Sequence, residues 1–460
     1  MQITRNQRYS LIILCSAAFL VPFMGSAINL SLPQISETFS MKAVSLSWVM
    51  TAYLITTAIF QVPFARLADL IGRRNGFIFG VSVFSLATFL CGLATSGIML
   101  IVLRAISGLG AALMFGTNMA ILTAVFPADQ RGKVLGINTS VVYLALASGP
   151  FLGGFLTHYV GWQSLFFVCA LLGVIVSAGA LRYLKGEWIE AKGEPFDYIG
   201  TVVYAVGLFF LIFGFSELPQ RLGFISLGIG VIAFTLFVLY ELRCKFPVFN
   251  VRLFSKNRSF SLSSLAALIN YASVSAVAFL MSLYLQFVRG FDAQQAGMIL
   301  IVQACVQSVV SLYAGRLSDR ISPALLATSG MLICTLGLGC LVFLSPETPL
   351  FLIFVLFIML GLGFGLFSSP NTNMIMSSVD KKYYGQASAT MGTMRLTGQA
   401  FSMGIAMMAI SLFVGNELIV PELYPHFMKS LHITFAICSV LCLLGTFASA
   451  ARRSSLRLSK

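Results

Sequence analysis

The sequence predicts an all-α integral membrane protein, with 14 transmembrane helices arranged as two six-helix bundles plus a two-helix insert. Three observations carry this. Of the 460 residues, 58% are hydrophobic and only 10% charged, against roughly a quarter charged in soluble domains; the mean hydropathy is +0.93. Apolar runs of about 20 residues, the length that crosses a bilayer, recur along the whole chain. The chain also repeats itself. Ala65–Arg74 and Gly315–Pro323 share Arg-Leu-x-Asp (Arg66/Arg316, Leu67/Leu317, Asp69/Asp319), about 250 residues apart.

The spans follow in order. Span 1 (9–32) starts after Arg5 and Arg8; it is too long for a secretory leader, and no small-residue cleavage site follows. Spans 2 (45–64) and 3 (76–96) flank Ala65–Arg74, which reads as a tight charged loop, a latch between two helices. Span 4 (98–124) carries Arg104, Gly108-Leu-Gly110 and Asn118. Span 5 (134–157) carries Gly149-Pro150-Phe-Leu-Gly153-Gly154, and span 6 (162–184) closes the first bundle. Spans 7 (198–216) and 8 (222–241) form a hairpin joined at Glu217–Arg221. Spans 9 to 14 (260–285, 293–314, 324–345, 349–376, 386–414 and 428–450) match spans 1 to 6. Gly108-Leu-Gly aligns with Gly361-Leu-Gly, Asn118 with Asn371, and Gly132 with Gly385. In hydrocarbon each backbone polar group must be satisfied within its own segment, so runs of this length are helices. The predicted units are 1–190, an insert with its linkers at 191–257, and 258–460.

Charge sets orientation. One set of loops holds 23 of the 29 Lys and Arg residues, and the opposite set holds only Lys42, Arg221, Arg289 and Lys429. By the positive-inside rule both termini are cytoplasmic, in the plasma (inner) membrane. The net charge of +14 sits in short loops rather than on one face or tail, so it does not point to nucleic acid. Eight of nine cysteines lie in apolar runs, none pair in external loops, and no CxxC exists; a metal or disulfide framework is not expected. There is no GxxxxGK[ST], so ATP-driven transport has no support. No nucleophile–base cluster suggests an enzyme, and no cofactor is expected. The linkers near 185–197 and 242–258 carry no readable motif.

With these motifs in order, the chain resembles the major facilitator superfamily, and within it the fourteen-helix drug:proton antiporter branch. The loop Ala65–Arg74 is similar to the family latch, with Ala65 in place of the usual Gly. Arg104-Ala-Ile-Ser107-Gly108-Leu-Gly110 is similar to its helix 4 motif, with Ser107 in place of Gln. Gly149-Pro150-Phe-Leu-Gly153-Gly154 is similar to the antiporter signature, and Ile28-Asn29-Leu-Ser-Leu-Pro33 to the first-helix motif. One position departs: Met24 stands where the branch has an aspartate, and all 15 acids lie in loops or at span ends, Glu217 and Glu241 nearest the membrane.

The resemblance implies alternating access, with proton-coupled efflux of hydrophobic drugs or other small molecules and a site between the bundles at the midplane. The partners expected are a small-molecule substrate, the lipid bilayer and protons, with the chain acting as a monomer. Arg66, Asp69, Gly72, Arg73 and Arg74, with Gly315, Asp319 and Arg320 in the repeat, are the expected gating latch. Arg104 is an ionised group inside a span and therefore a functional candidate. The resemblance implies a part in proton movement; carbonyl, water or substrate-anion partners and snorkelling to the outer interface stay open. Gly149, Pro150, Gly153 and Gly154 suit a bent, closely packed seam. Asn29, Tyr53, Asn118, Tyr143, Asn270, Gln303, Gln307 and Asn371 should face the cavity rather than lipid. Arg395 lies near the midplane, either as partner of an anionic or zwitterionic substrate or packed with Gln399 and helix-end carbonyls. A facilitator or exchanger of organic or lipid-like anions, using Arg395 and Arg104, is the alternative transport reading. A non-transporting membrane sensor is a third.

Overall fold

The computed structural model describes residues 4–457 apart from 219, 250, 319, 380–383 and 416. Its 14 membrane-length helices are α1 (Arg5–Ala27), α2 (Ala43–Ile71), α3 (Arg73–Gly92), α4 (Gly97–Val125), α5 (Ala128–Tyr159), α6 (Trp162–Tyr183), α7 (Tyr198–Ser216), α8 (Arg221–Glu241), α9 (Arg258–Val274), α10 (Ala293–Leu317), α11 (Pro323–Leu341), α12 (Leu350–Ser377), α13 (Tyr384–Phe413) and α14 (Tyr424–Arg457). Large apolar side chains cover the outside, among them Phe343 (85% exposed) and Ile98 (78%). A surface so apolar belongs in lipid, not water.

The first six and last six helices form the two bundles, and the sequence repeat is a repeat of contacts. A Cβ on Gly108 would meet the Tyr53 carbonyl of α2 at 2.8 Å; one on Gly361 would meet the Gln303 carbonyl of α10 at 2.5 Å. Gly110 approaches the Gly80 carbonyl of α3 in the same way, at 2.7 Å, and Gly363 approaches that of Gly330 in α11, at 2.8 Å. The Asn118 amide donates to the Leu14 carbonyl of α1 (2.7 Å), and Asn371 to the Ser263 carbonyl of α9 (3.1 Å). Small residues let backbones close up where apolar side chains gain nothing over lipid tails. The aligned glycines therefore fix the same helix pairs in both halves.

The insert pair α7–α8 wedges against both bundles. Ile55, Ala58 and Ile59 of α2, Tyr204, Leu208 and Ile212 of α7, Phe237 of α8, and Leu396 and Ala400 of α13 make one apolar cluster.

Two expected boundaries are corrected. Ala65–Arg74 is not a loop. Both helices run through it, and Gly72 alone breaks them, at φ +124°. Charges there are tolerated because α2, at 29 residues, spans about 43 Å and overshoots a hydrocarbon core of about 30 Å. Likewise α10 continues past Gly315 to Leu317. In the ninth span the helix is interrupted at Ser275, where the Ala276 amide donates to Ser402 Oγ of α13 (2.9 Å).

Candidate functional site

The bundles meet along a seam with two different ends. On the face opposite the basic loops, backbones touch across it. Gly154 of α5 lies against the Ala293 carbonyl, and Gly297 of α10 against the Pro150 carbonyl. Within the first bundle, Gly153 and Gly149 let α5 close on Ala27 and Ser26 of α1; a Cβ on Gly153 would come within 2.8 Å of the Ala27 backbone. Pro150, inside α5, has no amide hydrogen to donate, so one intrahelical bond is missing at the seam. Ser282 Oγ donates to the Asn29 carbonyl (2.7 Å), and the Ala43 amide to that of Glu417 (2.9 Å). His158 approaches Asp292 at 3.8 Å. Asn29, in a 3-10 turn (Ile28–Leu30), therefore belongs to this outer seam rather than to the middle of the cavity.

Deeper in the seam lies an aromatic cluster around Arg395, about 16 Å along α13 from Tyr384. The half-buried guanidinium sits over the Phe115 ring of α4, 5.1 Å from its centroid, and so reaches from one bundle to the other. Tyr53 and Tyr271 lie within electrostatic reach of it. The Tyr143 and Ser368 hydroxyls share a hydrogen bond across the seam, and Ser308 Oγ donates to the Tyr143 carbonyl (3.3 Å). Tyr271 packs edge-on against Phe364 at 5.3 Å. Gln303 is half-buried and Gln307 buried on α10.

Arg104 does not snorkel. It is 1% exposed, its Nε donates to the Val49 carbonyl (3.1 Å), and its guanidinium lies 4.2 Å from the Tyr53 ring centroid. Among the described residues both terminal nitrogens lack a hydrogen-bond partner, as does the Tyr53 hydroxyl. Met24 is fully buried among apolar neighbours. Asn118 and Asn371 spend their amide hydrogens on helix-to-helix bonds, and Asn270 is fully buried inside the second bundle.

On the basic face the latch has partners that the sequence reading missed. Arg73 Nε binds Asp69 (2.6 Å), while its Nη1 and Nη2 take both oxygens of Glu190 (2.7 and 2.6 Å). Arg66 pairs with Glu194, the Arg74 amide donates to Glu187 (2.8 Å), and the Arg74 guanidinium donates to the Leu184 and Leu181 carbonyls. Backbone bonds lay the linker along the junction: Ala191 donates to the Asp69 carbonyl and Arg73 to that of Trp188, each at 3.1 Å. A Cβ on Gly72 would strike the Glu187 carboxyl, so glycine is required for space as well as for φ. The available signal was four acids (Glu187, Glu190, Glu194 and Asp197) gathered in one basic-face linker. In the repeat, Asp319 lies outside the described residues. Arg316 and Arg320 are exposed and make no ion pair among the described residues, and a Cβ on Gly315 would meet only the Ser369 side chain, its Oγ at 2.8 Å.

Away from the seam, an apolar groove of about 410 Å³ runs between α2, α4 and α7, lined by residues such as Trp48, Ile55, Phe60 and Phe209. Its lining includes no charged residue.

A family profile described as Major Facilitator Superfamily matches residues 14–403 and again 263–455. The chain is 28% identical to the riboflavin transporter RibZ of Clostridioides difficile (strain 630), over 86% of each protein. It is 30% identical to the multidrug resistance protein Stp of Mycobacterium tuberculosis (strain CDC 1551 / Oshkosh), over 87% of this chain and 75% of that one. Among solved structures, an inward-facing bacterial homolog of the human lysosomal transporter Spinster superposes with a TM-score of 0.72 at 17% identity, covering 99% of this chain and 98% of that one.

Proposed function

The chain belongs to the major facilitator superfamily and is a membrane transporter of small molecules; on that premise we propose that it exports hydrophobic organic compounds by alternating access, driven by the proton gradient. It acts as a single chain in the plasma (inner) membrane with both termini cytoplasmic. The observation that carries the reading is the asymmetric seam. Backbones touch across it on one face, through Gly154 and Gly297. Deeper in, toward the basic face, half-buried aromatic side chains from both bundles line it. With the basic face in the cytoplasm, this is a carrier closed to the outside. Two six-helix halves rocking about a midplane site is the transport plan such a repeat supports.

The latch acts as the gate. Asp69, Arg73 and Glu190 tie the α2–α3 junction to the linker entering α7. Through the shared apolar cluster, α7 reaches α13 of the other bundle. Loosening the strap therefore changes how firmly the insert holds the two halves.

The test is purified protein in vesicles under an imposed pH gradient, with internal pH followed on adding ethidium, then a panel of neutral and anionic dyes. Proton movement that needs both a dye and the protein is expected. No movement with any dye, in protein shown to be folded, defeats proton-coupled export. The relative names, for riboflavin and for multidrug resistance, support small organic cargo.

A further inference from the structure

We propose that the cargo is an aromatic organic anion, its negative group paired with Arg395 and its ring lying against the seam of Phe115, Tyr143 and Tyr271. This rests on the transport reading and adds the charge and shape of what is carried.

An ionised guanidinium inside a membrane span is retained only with a partner. Arg395 has none of the ordinary kind among the described residues. Its one assigned contact is the face of Phe115, which belongs to the opposite bundle. A ring face attracts a cation, but it leaves the five N–H donors of a guanidinium without acceptors. The surroundings supply no carboxylate. The described acids lie at helix ends or in loops, and Met24 is apolar. They supply a second cation instead. Arg104 lies over the Tyr53 ring, with two donor nitrogens unpartnered among the described residues. The hydroxyl of Tyr53, a residue 2% exposed, also lacks a partner among the described residues.

The seam therefore carries the positive charge of Arg395 with no carboxylate partner among the described residues, and Arg104, buried inside the first bundle behind Tyr53, adds to the positive field. A positive, poorly hydrated cleft repels cations and concentrates anions. The planar fork of Arg395 matches a carboxylate or similar oxyanion through two parallel bonds. Phe115, Tyr143 and Tyr271 offer flat faces and edges, which favour a planar ring. An anion that draws Arg395 to itself also breaks the Arg395–Phe115 contact between bundles, so filling the site removes a contact that an empty carrier keeps.

Fluorescein and rhodamine 6G share a xanthene ring and carry opposite charge. Wild-type protein in vesicles is expected to move fluorescein faster than rhodamine 6G. Arg395→Gln is expected to lower fluorescein flux at least tenfold, and Arg395→Lys, which keeps the charge but not the fork, to recover part of it. Flux of rhodamine 6G without fluorescein overturns the charge assignment and leaves the transport reading standing. Undiminished fluorescein flux in Arg395→Gln overturns the role of Arg395. Flux of neither dye in folded protein that moves another compound of the dye panel overturns this inference alone; no flux of any compound defeats the export reading as well. The order of the two dyes in wild-type protein decides the matter even if a variant fails to fold.

Discussion

The two copies of the latch share a sequence and differ in structure. In the first half Arg66 and Arg73 are bound by acids of a linker more than 100 residues away (separations 128 and 117). In the second half Arg316 and Arg320 stand exposed, without an ion pair among the described residues. Duplication supplied both with Arg-Leu-x-Asp. Only the first junction lies where the chain passes on its way into the insert. A motif is thus a set of donors and acceptors, and what it does depends on what is laid beside it.

Five experiments break or sharpen that difference. The largest effect is expected from Arg73→Ala, which leaves Asp69 and Glu190 unpaired at a site where Arg73 is 8% exposed. Transport in vesicles should fall at least tenfold, about 1.4 kcal/mol or more. Arg320→Ala should change it less than twofold; equal losses would mean the halves are equivalent gates. Next is Gly72→Ala, strained both by φ and by the Glu187 carboxyl. It should cost about 1–3 kcal/mol, read as a lower melting temperature in detergent. Gly315→Ala meets only a side-chain hydroxyl that can turn away, and should cost under about 1 kcal/mol.

Glu190→Gln comes third. Glu190 is 66% exposed, so its pairing is discounted to less than about 1 kcal/mol. Its readout is strap release: trypsin should cut after Lys192 faster than in wild type, and the difference should shrink at high salt. Unchanged cleavage would mean the backbone bonds alone hold the linker. Smallest is Arg66→Ala, removing an exposed pair with Glu194, expected within about 0.5 kcal/mol of wild-type stability. Asp69→Asn separates function from scaffold: a gate loses flux, whereas a sensor that carries nothing has none to lose.

The fold was legible because hydrocarbon permits few alternatives. The 14 runs became helices, and Gly108/Gly361 and Asn118/Asn371 make matching contacts. The latch was misread as a loop because charge was taken to end a helix, although a helix longer than the bilayer carries charge outside it. Glu187, Glu190 and Glu194 went unread because their partners are distant in sequence and follow no spacing rule. Arg395 was visible as a misplaced charge. Its neighbour Phe115 was not, since 41 phenylalanines offer no hint of which one faces an arginine.

The strap has a consequence for ancestry. Gly72 and Glu187 occupy one shared space, and Glu190 closes on Arg73 beside them. A side chain gained at position 72 should accordingly be accompanied in descent by a shorter residue at 187, so that the junction and the strap change as a single hereditary unit.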